Sequence, residues 1–425
     1  MANRIIYQSD ALFASQKVDS VQSGEHVQLQ RVQSANYSFN VNRTDVNQFG
    51  QLARTDSLIL ESPTVSADVT YLLGNGFNEE ALGFSLSSKF TDASLSTGFL
   101  AKQISATDPV GTSGKNLYIL TLPEGIDANT VNSRSTNVAA SSIGIGNAYL
   151  TDYTLDASVG DFPTVSVSFE GLNANATSSA TGMTGANAFN GAGNAQSSNT
   201  ITGFAGMSGV GVDPTAGTQL TLHKAGTTTS GIGFPTPNTG NTPITALKPG
   251  DMTLTLSAAD GKSFYNIDGV GGGHVQSVSL NVPLSRTPIE KLGSTFAFAR
   301  VADFPITPTL SVSAVVNEAN EQALHDIVAD DSFIANLDLA FGTKPGGLNA
   351  DQVVRYRIKN AKLDSESVSS SIGPNKTVDM TFSVSVGGPD DSDNNVFMSG
   401  SNGSTIAIGT PADGNMFTQK VVNPG

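Results

Sequence analysis

The four histidines, His26, His223, His274 and His325, are the residues of this 425-residue chain best suited to holding a metal or shuttling a proton. No two of them stand at the HxxxH or HExxH spacing that puts two imidazoles on one helix face, so ligation would require distant ones to converge. Asp390, Asp391 and Asp393 open like a calcium loop, with Asn395 in the fifth place when Asp391 is the first. The sixth place is Val396, where the sharp turn needs glycine, and the twelfth is Asn402, where a bidentate glutamate should close the shell. A solvated acidic turn is the expectation there. The glycine-rich stretches GNG (74–76), GVG (209–211) and GVGGG (269–273) do not lead from a strand into a helix with phosphate-loop spacing, and they read as turns. There is no GxSxG nucleophile elbow and no cysteine. No catalytic residue, cofactor site or metal site is expected, and an enzyme is not the reading.

Two arginines stand out instead. Arg43 in RTDVNQF (43–49) and Arg286 in RTPIEKL (286–292) both follow an alternating run, and both precede threonine. Among only 22 basic residues, an arginine repeated at one structural position suggests a fixed ion pair, because its fork matches a carboxylate. That pair would lie either between subunits or within one unit as a cap. Glu79 in NEEAL (78–82) and Glu321 in NEQAL (320–324) also occupy matching places. Arg43, Arg286, Glu79 and Glu321 are the candidate assembly contacts.

In the elements that carry these residues, the dominant period is two. Tyr37, Phe39 and Val41 alternate with polar residues, as do Val65, Ala67, Val69 and Tyr71, and Val165, Val167 and Phe169. Val278, Leu280 and Val282 repeat the pattern, and Val378, Met380, Phe382, Val384 and Val386 extend it. Alternation buries one face of a strand and wets the other, which predicts antiparallel sheets. Helical spacing is confined to 317–333 and its counterpart 77–86. The fold class is mainly β, with β-sandwich or barrel units that each carry one short α-helix.

The same blocks occur twice in the same order. Gln33, Ser34, Arg43, Thr44 and Gly50 recur 243 residues on as Gln276, Ser277, Arg286, Thr287 and Gly293. SPTVSADV (62–69) then faces TPTLSVSA (307–314) after a two-residue slip, and NEEAL faces NEQAL. NAYLTDYTLDASVGDFPTVSVSF (147–169) faces NAKLDSESVSSSIGPNKTVDMTF (360–382) with an offset of 213 and no gap. A tandem duplication is the expectation. It divides the chain into a first unit (1–170), an insert rich in Gly, Ala, Ser, Thr and Asn (171–245), a second unit (246–388) and a C-terminal arm (389–425).

Only 14% of residues are charged, against about 25% in ordinary domains. Such a surface suits subunits that cover each other, and a secreted β-rich protein can share it. The net charge of −15 argues against tight binding of a nucleic-acid backbone. The amino-terminal MANRIIYQSDALFASQ lacks the pattern of a signal peptide, and no apolar run is long enough for a membrane helix, so a soluble, leaderless protein is expected.

The stretches SANYSFNVNRTDVNQFGQLARTDSLILESPTVSADVTYLL (34–73) and NAYLTDYTLDASVGDFPTVSVSFEGLN (147–173) resemble the major tail proteins, the tail tube proteins of long-tailed bacteriophages. The resemblance spans roughly 27–170 and 270–387 and rests on β patterns rather than a catalytic signature. It implies β-sandwich or barrel units with a flanking helix that close into rings, usually of six copies, which stack into a tube through which DNA passes without being held. Family members that carry the unit twice form trimers imitating a hexamer, so a homotrimer with pseudo-six-fold symmetry is favoured over a hexamer. Stacked rings, the tape measure, a terminator and a baseplate or sheath would be the partners, with synthesis in the host cytoplasm and residence in the virion tail. An acidic lumen would let DNA slide, and the insert would be an outer decoration or a clasp on the adjacent ring. Competing readings are a baseplate hub, tail terminator or capsid decoration, and a bacterial surface or adhesin β-protein. A carbohydrate-cleaving enzyme is disfavoured by the absence of Trp.

Overall fold

The computed structural model describes residues 10–15, 26–60, 64–74, 76–86, 97–105, 115–121, 124, 141–171, 173–178, 200–201, 220–221, 247, 252–257, 273–289, 299–316, 335–342, 352–369 and 376–400. The fold is mainly β. The first half contains β1 (Asp10–Ser15), β2 (His26–Gln28), β3 (Val32–Asn40), β4 (Thr44–Val46), β5 (Asp56–Leu58) and β6 (Thr64–Leu72). Two short helices follow, α1 (Phe77–Ala81) and α2 (Ala101–Ile104), then β7 (Lys115–Thr121), β8 (Ser141–Ser158), β9 (Thr164–Gly171) and β10 (Asn173–Ser178). Two-residue strands β11 (Thr200–Ile201) and β12 (Leu220–Thr221) pair within the insert. The second half contains β13 (Met252–Ser257), β14 (Gly273–Pro283), β15 (Arg286–Ile289), β16 (Ala299–Ala302), β17 (Thr309–Val316), β18 (Ala335–Gly342), β19 (Gln352–Ser369), β20 (Thr377–Ser383) and β21 (Asn395–Gly400).

Eight strands form a central antiparallel sheet in the order β3-β6-β9-β8-β14-β17-β20-β19. Its alternation follows directly from sequence. Val65, Ala67, Val69 and Tyr71 on β6, and Val165, Val167 and Phe169 on β9, are all at most 3% exposed, while the residues between them face solvent to differing degrees. Burying each such aliphatic or aromatic side chain contributes roughly 1.5–3 kcal/mol. The two 18-residue strands β8 and β19 run beyond this sheet. The amino-terminal part of β8 joins β10, β7, β1 and β2, and that of β19 joins β21, β18 and β13. Among the described residues no set of strands closes into a barrel.

The pairing order recurs between the halves, and so does the register. On β3 and β6, Val32 faces Tyr71, a bulge intervenes, and Ser34 faces Thr70; on β14 and β17, Val275 faces Ala314, a bulge intervenes, and Ser277 faces Ser313. On β8 and β9, Leu150 faces Phe169 and Asp152 faces Ser168 across a bulge; on β19 and β20, Leu363 faces Phe382 and Ser365 faces Thr381 across the corresponding bulge. The bulge between Lys115 and Leu117 on β7 likewise has its counterpart between Ala335 and Leu337 on β18. The hairpins match as well, with Thr44 facing Leu58 and Thr287 facing Val301.

These registers correct one detail of the sequence comparison. Val69 corresponds to Val312, so a single spacing of 243 carries β3, β4, β5 and β6 onto their counterparts and the two-residue slip at 62–69 disappears. A shift of two leaves every side chain on its own face, so alternation cannot detect it, whereas cross-strand pairing can. The strands β10 and β21, which follow the expected boundaries at 170 and 388, pair with β8 and β19. The helix expected over 317–333, with Glu321, lies outside the described residues, as does Gly293.

Candidate functional site: the junction between the halves and the polar sheet face

The halves meet where β8 pairs with β14, from Ser277 opposite Ser158 to Pro283 opposite Asp152. The pairing continues past β8, where the Val159 N–H donates to the Gln276 carbonyl at 2.9 Å. Gly160 then turns the chain at φ +98°, a conformation a side chain would strain, and delivers it into β9.

On the buried side of this joint lies an aromatic seam. Phe84 stacks on Phe99 with centroids 4.2 Å apart, and both meet Tyr153 edge-on. The Tyr153 hydroxyl lies 2.7 Å from that of Tyr356, which stands on β19 of the other half. Tyr71 donates to Glu79 Oε1 at 3.0 Å, and Tyr153 reaches the same oxygen at 3.5 Å. Glu79 is 1% exposed, and burial raises its pKa to about 7 although both tyrosine hydrogen bonds favour the charged form. The structure places Glu79, expected at an assembly contact, with its carboxyl in the interior, because α1 buries that side of its single turn. Asn78 beside it fixes the chain by exchanging two hydrogen bonds with the Gln30 backbone.

Arg286 is also buried, 8% exposed, and crosses between the halves. Its Nε donates to the Leu150 carbonyl at 3.0 Å, and Nη2 donates to the Gln103 carbonyl at 3.0 Å. Its guanidinium lies 5.4 Å from the centre of the Tyr149 ring. Burial lowers its pKa to about 10, which leaves it cationic at neutral pH. These hydrogen bonds reach backbone carbonyls and Gln103, the Leu150 carbonyl lying at the bulge in β8, and the Asp303 carboxylate also acts on the Arg286 charge. The carboxylate pairing falls to Arg300, which meets Glu170 from the opposite strand of the same hairpin. Arg43 holds the corresponding place before β4 and is exposed. Glu79 thus lies in the seam and Arg286 at the joint between the halves, and Arg43 is the exposed one among the described candidates. Tyr153, Tyr356 and Gln103 were not singled out by the sequence, and Tyr71 only as part of an alternating run; a tyrosine at a core-facing strand position is itself a signal, because its hydroxyl needs a partner.

The other face of the central sheet is polar. Asp68, Asp152, Asp156 and Asp379 stand there among Ser, Thr and Asn side chains. Ser168 donates to Asp68 at 2.7 Å, Ser279 to Asp156 at 2.6 Å and Asn281 to Asp152 at 3.0 Å, so hydroxyls and amides position the carboxylates. Between the bulges, the described strand residues of this face include no Lys or Arg. Residues of β8, β14, β17 and β20, together with Leu72 and Phe162, line a hollow of about 820 Å³ beside it. The Asp391 turn is an Asx turn, its Oδ1 accepting from the Asp393 and Asn394 N–H groups at 2.8 and 3.0 Å. Among the described residues no cluster of His, Asp and Glu could hold a metal. No protein-family model matches the chain, and no curated protein matches it.

Proposed function

We propose that this chain is a structural virion subunit whose copies close into rings, the rings stacking into the tail tube of a long-tailed bacteriophage. The observation that carries this reading is the sheet face on which Asp68, Asp152, Asp156 and Asp379 stand among Ser and Thr, with no Lys or Arg among its described strand residues between the bulges. A conduit for DNA needs a wall that hydrates and repels phosphates, since every cation on it would add affinity and friction. Serine and threonine keep such a wall wet, and the aspartates keep it negative. Tandem duplication of a tube unit accounts for the recurring register and bulges, and it favours a trimer whose six units imitate a hexamer. The bias toward small uncharged surface residues fits subunits that cover one another.

Negative-stain and high-resolution electron microscopy of the purified protein tests this. Hollow tubes built of three-fold rings, with the aspartates facing the channel, are expected. Single rings that never stack would point to a terminator or baseplate hub, and a channel lined by lysine would remove the conduit.

A further inference from the structure

We propose that copies of this chain join edge to edge, β3 of one copy pairing antiparallel with residues 365–369 of β19 of the next, in the register of the internal β8–β14 joint. The proposal rests on the self-assembly reading above and specifies how it is built.

The central sheet has two ends. Inside the chain, β8 has β9 on one side and β14 on the other. Its counterpart β19 has β20 on one side and, among the described residues, no strand on the other beyond Ala361. Similarly, β14 lies between β17 and β8, whereas among the described residues its counterpart β3 pairs with β6 alone. The chain therefore ends in two halves of a joint that it also contains complete.

Exposure supports this. Leu280 and Val282 of β14 and Leu155 of β8 are 0% exposed within the internal joint. Their counterparts Tyr37, Phe39 and Val368 are 42%, 66% and 40% exposed. Proteins that keep an edge strand solitary protect it with lysine, proline or a bulge. The run from Ser34 to Asn40 has neither charge nor proline, and it keeps its register with β6 beyond its bulge. No like charges would oppose each other, since Glu366 is the one ionisable residue in 365–369.

The register is transferred pair by pair. Ser279 opposite Asp156 becomes Asn36 opposite Ser369, and Leu280 opposite Leu155 becomes Tyr37 opposite Val368. Asn281 opposite Thr154 becomes Ser38 opposite Ser367. Arg43 then reaches the Leu363 carbonyl of the next copy, as Arg286 reaches that of Leu150.

The chain has no native cysteine, so engineered pairs give a clean readout. In the full chain, Asn36→Cys with Ser369→Cys should convert most of the monomer band into covalent multimers under mild oxidation. Asn36→Cys with Ser367→Cys, slipped by two residues on the same face, should give at least tenfold less. Ser279→Cys with Asp156→Cys should close within one chain and serves as the geometric control. Assembled particles in which the slipped pair links as well as, or better than, the aligned pair overturn the register and leave the tube reading standing. A ladder from the aligned pair in particles that never stack supports the register and removes the tube. A chain that stays monomeric at high concentration overturns both.

Discussion

Tyr153 and Tyr356 meet hydroxyl to hydroxyl at 2.7 Å, one from each half of the chain, at the centre of the aromatic seam. Both are fully buried, and burial raises both phenol pKa values well above their ordinary range. Tyr356→Phe should cost about 1 kcal/mol of unfolding free energy and leave the secondary structure intact. The pair with Tyr153→Phe should cost less than the sum of the single changes, because the two share one hydrogen bond. Denaturant midpoints of the two single variants and the double variant measure this.

Glu79 gives the fold a pH dependence of known sign. Its folded pKa of about 7 lies above the ordinary carboxyl value of 4.5, so the folded chain holds a proton that the unfolded chain releases across that window. Stability from this group is full below about pH 4.5, falls as pH rises, and is lost above about pH 7. Glu79→Gln keeps an acceptor for Tyr71 and removes the charge. It should flatten the decline between pH 5 and 8 and raise stability at pH 8 by up to roughly 3 kcal/mol. Denaturation at both pH values checks the slope; an unchanged slope would place the titration elsewhere.

The two matching arginines should behave differently on removal. Arg286→Ala strips donors from the buried Leu150 and Gln103 carbonyls and should lower stability by roughly 3 kcal/mol. Arg43→Ala removes an exposed side chain and should change dilute-monomer stability by less than about 0.5 kcal/mol, while weakening self-association. Thermal unfolding combined with sedimentation of each variant separates the two effects.

Asp379 stands on the polar sheet face and lines the hollow beside it. Asp379→Lys should raise the affinity of assembled protein for short duplex DNA by about tenfold at low salt, with the gain vanishing as salt rises. A filter-binding titration at two salt concentrations reads this, and an unaltered affinity would mean that this face is not open to DNA.

The strands were legible because their buried residues alternate without interruption from Val65 to Tyr71 and from Val165 to Phe169. The recurrence was legible because Arg43, Thr44 and Gly50 have counterparts at one spacing. What lay beyond sequence was contact across long separations. Nothing in RTPIEKL announces that Arg286 ends on the Leu150 carbonyl, 136 residues away, because a backbone acceptor has no residue identity. Glu79 was expected at an assembly contact because NEEAL matches NEQAL, yet one turn of helix is enough to send its carboxylate inward. The Tyr71–Glu79 and Tyr153–Tyr356 hydrogen bonds arise from packing α1 and β19 over the sheet, an arrangement that no periodicity encodes.

The joint between β8 and β14 has two unlike sides, and this difference gives the molecule a polarity. A contact that repeats it from copy to copy is head-to-tail, so it generates no two-fold dimer. Each addition consumes one β3 edge and presents another, leaving growth only two ends: cyclic closure, or an open helical filament. Curvature of the sheet decides between them. Substitutions at the β-bulges after Leu150 and Leu363, which set that curvature, should therefore alter the number of subunits per turn before they alter the stability of any one of them.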